Sequence, residues 1–193
     1  IELDEGGIIN DFIFNEKGNE LDPFAILELK KNILIGGFVK SRELVNNSFY
    51  NMYSEKQMIY VGEFTKEGEK IWSKGFDLAG YERGICNQMI KQDNSIILLC
   101  HANKIGEDMS PILIKIDFEG NIQEIVEIGK SNTMVIGGRI AQVNNQIRLV
   151  GCYKDDTSYL LFSYLFNKDL KPIESEEYEM PGRVLINSFN GNI

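Results

Sequence analysis

The stretch Ile112-Leu-Ile-Lys-Ile-Asp-Phe-Glu-Gly-Asn121 (ILIKIDFEGN) decides how the whole chain is read. Apolar residues at 112, 114 and 116 follow the period-2 rhythm of a β-strand. Asp117 then opens a turn, where its carboxylate can cap the backbone two residues on, and Gly120 tolerates the positive φ that closes one. The same strand-then-turn register recurs at Phe14-Asn-Glu-Lys-Gly18, Phe64-Thr-Lys-Glu-Gly68 and Phe166-Asn-Lys-Asp-Leu170. Successive turns are spaced 50, 52 and 50 residues apart.

Apolar strands precede these turns at Gln57–Phe64, Pro111–Ile116 and Tyr159–Phe166, and strands follow at Lys70–Phe76 and Asn121–Ile128. A second set of interruptions falls at Lys31-Asn32, Asp93-Asn94, Asn144-Asn145 and Asn190-Gly191, residue types suited to tight hairpins. After the first three come Ile33-x-Ile35-x-Gly37, Ile96-x-Leu98-x-Cys100 and Ile147-x-Leu149-x-Gly151, a pattern expected of strands with one face on a core. No helical periodicity competes. The expectation is an all-β chain with four antiparallel strands per unit.

Asn87-Gln-Met-Ile-Lys-Gln-Asp-Asn-Ser-Ile-Ile-Leu-Leu, followed by the opening stretch, resembles a blade of the bacterial quinoprotein-like β-propellers. The resemblance covers nearly the whole chain, and a period near 50 suits one blade. It implies a single propeller region over 1–193, with strands C and D of a partial blade at 1–22. Three full blades follow at 23–76, 84–128 and 138–179, and a further blade starts at 183–193. Joining the two ends would give a blade without a second strand, so the expected whole is a larger propeller of six to eight blades, with a closed four-bladed ring as the less favoured alternative. Propellers resembling this one imply a place in the bacterial periplasm or at the cell surface, as a lipoprotein or secreted chain, although free cysteines also suit the cytoplasm.

Composition narrows the function. With 20 basic and 29 acidic residues the net charge is -9, which opposes binding to nucleic acid or to an anionic membrane surface through the overall field. No apolar run approaches the roughly 20 residues that span a bilayer. One histidine, His101, leaves little room for histidine-based catalysis, and the three cysteines lack metal-ligand spacing. Counting strand partners outward from Asp93-Asn94 sets Cys86 opposite His101 and turns Cys100 to the other face, which argues against a Cys86–Cys100 disulfide. Cys86 and His101 are then expected as neutral core residues. No catalytic residue, metal site or cofactor is expected.

Candidate contacts gather on the side where the longer connections emerge: 40–56, 77–84, 103–111, 129–138, 153–158 and 175–182. Function concentrates on loops held by a rigid scaffold. The longest carries Phe49, Tyr50 and Tyr53, whose rings suit protein or glycan recognition or else pack beneath the loop. Tyr81 lies in the next connection. Arg83, Arg139 and Arg183 each stand before an apolar pair at the start of a first strand. They either converge to bind carboxylate or phosphate, or pair with Glu82, Asp108 or Asp155. The acid-rich run Glu174–Glu179 is expected as a solvated outer edge strand.

The only tryptophan, Trp72, sits in Glu63-Phe-Thr-Lys-Glu-Gly-Glu-Lys-Ile-Trp72. This stretch matches the quinoprotein docking pattern at Gly68 and Trp72 but not at Gly62, Phe64 or Glu69. It matches the sialidase Asp-box at Thr65 and Trp72, with Glu67 and Ile71 departing. Trp72 is therefore expected as an apolar anchor between units. The functional expectation is a non-catalytic module that binds a protein, peptide or glycan partner as part of a larger envelope assembly. The alternative is a piece of a propeller enzyme, quinone-dependent or glycan-cleaving, with its catalytic residues outside this chain.

Overall fold

In the computed structural model, residues 2–4, 7–10, 20–43, 54–129, 134–154 and 159–180 are described, and the described residues are almost entirely strand. β1 (Glu2–Asp4) and β2 (Gly7–Asn10) form a small antiparallel pair. Three antiparallel meanders of four strands follow. Unit 1 comprises β3 (Glu20–Glu28), β4 (Asn32–Glu43), β5 (Ser54–Thr65) and β6 (Lys70–Phe76). Unit 2 comprises β7 (Tyr81–Gln92), β8 (Ser95–Lys104), β9 (Ser110–Ile116) and β10 (Ile122–Glu127). Unit 3 comprises β11 (Met134–Val143), β12 (Gln146–Lys154), β13 (Tyr159–Phe166) and β14 (Pro172–Met180). Units 1 and 2 are joined into one sheet at a single parallel pairing, Gln57 with Arg83.

The turn between the third and fourth strands repeats atom for atom. Thr65, Asp117 and Asn167 each receive, at their carbonyl, the N–H three residues on, from Gly68, Gly120 and Leu170. Each also donates its own N–H to the carbonyl four residues on. The closing residue takes positive φ: 90° at Gly68, 75° at Gly120 and 56° at Leu170. Asp117 caps as expected, its Oδ1 accepting from the N–H of Glu119 at 3.0 Å and of Asn121 at 2.7 Å. Asn167 does the same toward Asp169 and Lys171, both at 2.9 Å.

The hairpins between first and second strands fall at Asp93-Asn94 and Asn144-Asn145, with positive φ at Asp93, Asn144 and Asn145. In unit 1 the hairpin is centred on Lys30-Lys31, one residue before the expected place, because Glu28 pairs with Ile33. Asn32 is thereby released into β4, where its Nδ2 donates to Glu63 Oε1 at 2.7 Å.

The middle unit is covered on both faces, not on one. Alternate residues of β8 point opposite ways: Ile96, Leu98, Cys100 and Ala102 join Leu34, Ile59 and Val61 of unit 1 in one core. Ile97 and Leu99 join Ile140, Leu149 and Phe162 of unit 3 in a second core. That is why Ser95–Cys100 is buried throughout and reads as an unbroken apolar run. Each fully buried Ile, Leu or Val contributes about 1.5–3 kcal/mol, and both core clusters are shared between neighbouring units.

Polar ties cross the same boundaries. Lys74 Nζ donates to Asn121 Oδ1 at 2.9 Å, and Lys115 Nζ to the Lys168 carbonyl at 2.8 Å. Trp72 of β6 lies against Gly120 in the unit 2 turn, in the anchoring role expected of it. At the far edge of unit 3, Pro172–Glu179 is exposed throughout, a solvated edge strand guarded by its acids.

Candidate functional site

The candidate residues divide by position. Phe49, Tyr50, Tyr53 and Arg183 lie outside the described residues. Tyr81, expected in a connection, and Arg83, expected at the start of a first strand, both lie within β7, because antiparallel pairing continues past Gly84 to Tyr81 opposite Lys104. Arg139 is likewise inside β11, opposite Val150. Arg83 precedes its hairpin residue Asp93 by ten positions, whereas Arg139 precedes Asn144 by five. At about 3.3 Å per residue the two arginines occupy different levels along their strands.

Tyr81 is held by its surroundings. Lys104 Nζ lies 5.5 Å from its ring centroid and donates to Glu127 Oε2 at 2.8 Å. Burial, followed by a hydrogen bond to Glu127, pushes the phenol upward from its ordinary range, so it stays protonated. The same contacts lower the Glu127 carboxyl, Lys104 first and Tyr81 second. Tyr81 is thus a fixed, partly exposed ring with its hydroxyl already engaged.

Arg83 is exposed and, among the described residues, forms no ion pair. Glu82 does not serve it: Glu82 Oε2 accepts from Asn103 Nδ2 at 3.4 Å. Asn103 is the strand partner of Arg83, and its buried Oδ1 has no donor among the described residues. Gln57, Asp77, Leu78, Tyr81 and Arg83 border a shallow cleft with room for about one water, roughly 10 Å³. The exposed guanidinium of Arg83 thus stands beside the Tyr81 ring at the rim of this cleft.

A second polar group lies deeper, between units 2 and 3. His101 Nδ1 is 2.6 Å from Asn87 Oδ1, a contact that requires the proton on Nδ1 and leaves the lone pair on Nε2. Nε2 is buried with no donor among the described residues. Burial, then the nearby Arg139 charge, lowers the imidazole to about 4, so the ring is neutral near pH 7. Arg139 makes no ion pair among the described residues and donates Nη1 to the Gly138 carbonyl at 2.8 Å.

The residue facing Cys86 is Cys100, not His101. Constant register would oppose Cys86 and His101, but an extra residue at Asn87 shifts the ladder, and Ile85 takes His101 as partner. The signal was present in sequence. Cys86 and Met89, both in the core with unit 1, are three residues apart where an unbroken strand would space them by two or four. The same bulge frees Gln88 to face unit 3. Its Nε2 donates to the Ile140 carbonyl and its Oε1 accepts from the Ile140 N–H, both at 2.9 Å. That amide replaces a backbone ladder pair between units, a role the sequence reading missed.

Among the described residues no group of three or more His, Cys, Asp or Glu is placed to hold a metal ion. No helix there is long and apolar enough to cross a membrane. No family model matches the chain, and no curated protein matches it.

Proposed function

We propose that the three units are successive blades of a β-propeller acting as a non-catalytic binding module in a bacterial envelope or surface assembly. The meander order, the repeated turns and the cores shared between neighbouring units support the blade reading. The partner is a protein or glycan carrying an exposed carboxylate. One observation carries that choice: Arg83 is an exposed cation without a carboxylate partner among the described residues of a chain whose net charge is -9. It stands beside the immobilised Tyr81 ring, so a bidentate guanidinium–carboxylate pair would form next to a ready apolar surface.

The test is an array of acidic peptides and of glycans bearing uronic or sialic acids, probed with the wild-type chain and with Arg83→Ala. Carboxylate-bearing members are expected to bind and to lose about tenfold or more in affinity in the variant, the worth of one charged hydrogen-bonding pair. Binding unaffected by Arg83→Ala, or absent across the array, would defeat this reading.

A further inference from the structure

Cys86 on β7 and Cys100 on β8 are direct antiparallel partners. Both are fully buried, and both belong to the core between units 1 and 2. Facing Cα atoms in an antiparallel ladder lie about 4.5–5.5 Å apart, inside the 4.4–6.8 Å that a disulfide spans. Cys152 has no such neighbour: its ladder partners are Gly137 and Leu161. We propose that Cys86 and Cys100 are a covalent modification site, closing a cross-strand disulfide when the chain folds in the presence of a low-molecular-weight disulfide.

The step balances as thiol–disulfide exchange. The thiolate of one cysteine attacks a sulfur of oxidised glutathione and expels one glutathione thiolate, leaving a mixed disulfide. The second cysteine, as thiolate, attacks the protein sulfur of that mixed disulfide and expels the second glutathione. The two thiol protons pass to the two glutathione thiolates. Two protein thiols are oxidised and one small disulfide is reduced.

Timing follows from packing. Burial raises the Cys100 thiol well above its ordinary range, and contact with Cys86 adds to this, so little thiolate exists once the core is closed. Unit 1 shields the pair: a Cβ at Gly36 would come within 2.7 Å of Cys86 Sγ. The exchange therefore belongs to the hairpin stage, after β7 and β8 pair and before unit 1 packs over them. The product is then hidden from reductant.

The experiment refolds the full chain from denaturant in a mixture of reduced and oxidised glutathione, then quenches, denatures, alkylates with iodoacetamide and maps the peptides by mass. The expected result is alkylation of Cys152 alone, with the Cys86 and Cys100 peptides joined and lighter by two hydrogens. In Cys100→Ser, Cys86 and Cys152 are both expected to be alkylated. Alkylation of all three wild-type cysteines would overturn the proposal. So would a link that includes Cys152, or a wild-type chain that regains its β circular dichroism only in excess reductant. Should the serine variant fail to fold, the wild-type map decides alone.

Discussion

The indole of Trp72 rests on the backbone of Gly120, so closely that a Cβ at Gly120 would lie 2.7 Å from Cζ3 of the ring. Trp72 belongs to the last strand of unit 1 and Gly120 to the last turn of unit 2, so the contact fixes how the two units meet. The ring is aimed by its own N–H, which donates to Glu63 Oε2 at 2.6 Å while Asn32 holds Oε1. Gly120→Ala meets two penalties: positive φ costs an L-residue about 1–2 kcal/mol, and the methyl must displace the ring. A loss of about 2 kcal/mol or more in urea unfolding is expected. In a Trp72→Ala background the steric part vanishes, so the cost should drop toward the φ penalty alone. Equal costs in both backgrounds would show that the ring is not the obstacle.

Leu170 holds the equivalent place in unit 3, at φ 56°, and two effects oppose each other there. Glycine would relieve about 1 kcal/mol of left-handed strain. It would also empty a position that is 1% exposed in the core between units 2 and 3, losing about 2–3 kcal/mol of burial plus a cavity term. Burial wins on these magnitudes. Leu170→Gly is expected to destabilise by about 2 kcal/mol, measured as a lower urea midpoint at unchanged slope. A gain in stability would mean that strain dominates.

These two turns show which features were legible in sequence and which were not. Glycine, aspartate and asparagine announce turns because few residues accept positive φ, and the repeat spacing extended that reading to Leu170, whose type alone would never suggest it. Pairing of distant residues was less legible. A partner count assumes constant register, and the single bulge at Asn87 exchanged His101 for Cys100 opposite Cys86. Coverage of β8 by both neighbours was hidden for another reason: alternation reveals one buried face, while a doubly buried strand shows only a run of apolar residues. Arg83 was named from its place in the repeat. The contacts that fix Tyr81 come from Lys104 and Glu127, residues distant in sequence that no local pattern connects to it.

The Gln88 amide offers a cleaner test of inter-unit pairing. Ile140 is 2% exposed, and its N–H and carbonyl both use Gln88 across the boundary. Gln88→Glu keeps the shape and the acceptor but replaces the donor with a second carboxylate oxygen facing the Ile140 carbonyl. The expected cost near pH 7 is about 2–3 kcal/mol, from an unpaired buried acceptor plus a poorly solvated charge. Once protonated, the introduced carboxyl could donate again, so the deficit relative to wild type should shrink as pH falls toward about 4.5, near the ordinary glutamate range. A deficit independent of pH would indicate that the amide donor does not matter.

His101 gives the chain a pH dependence of opposite origin. Its imidazole is lowered to about 4 in the folded state, burial first and Arg139 second, against an ordinary value of 6.5. The unfolded chain therefore binds a proton at this site at higher pH than the folded chain does. Stability from the neutral ring is fully present above pH 6.5, declines as pH falls through the window to 4, and is exhausted below it. A shift of this size corresponds to about 3 kcal/mol at most, and the ring is partly exposed, so about 1–2 kcal/mol is the expected loss. Paired or hydrogen-bonded carboxylates such as Asp117 and Glu127, held low by Asn121 and Lys104, lose their own contributions only nearer and below pH 4.5. Wild type and His101→Gln, unfolded in urea at intervals between about pH 7.5 and 5, separate the two sources. The wild-type curve should slope downward across about pH 6.5–5 while the variant stays flat there. Parallel curves would mean that His101 is already solvated in the folded protein, and that its unpartnered Nε2 has found water.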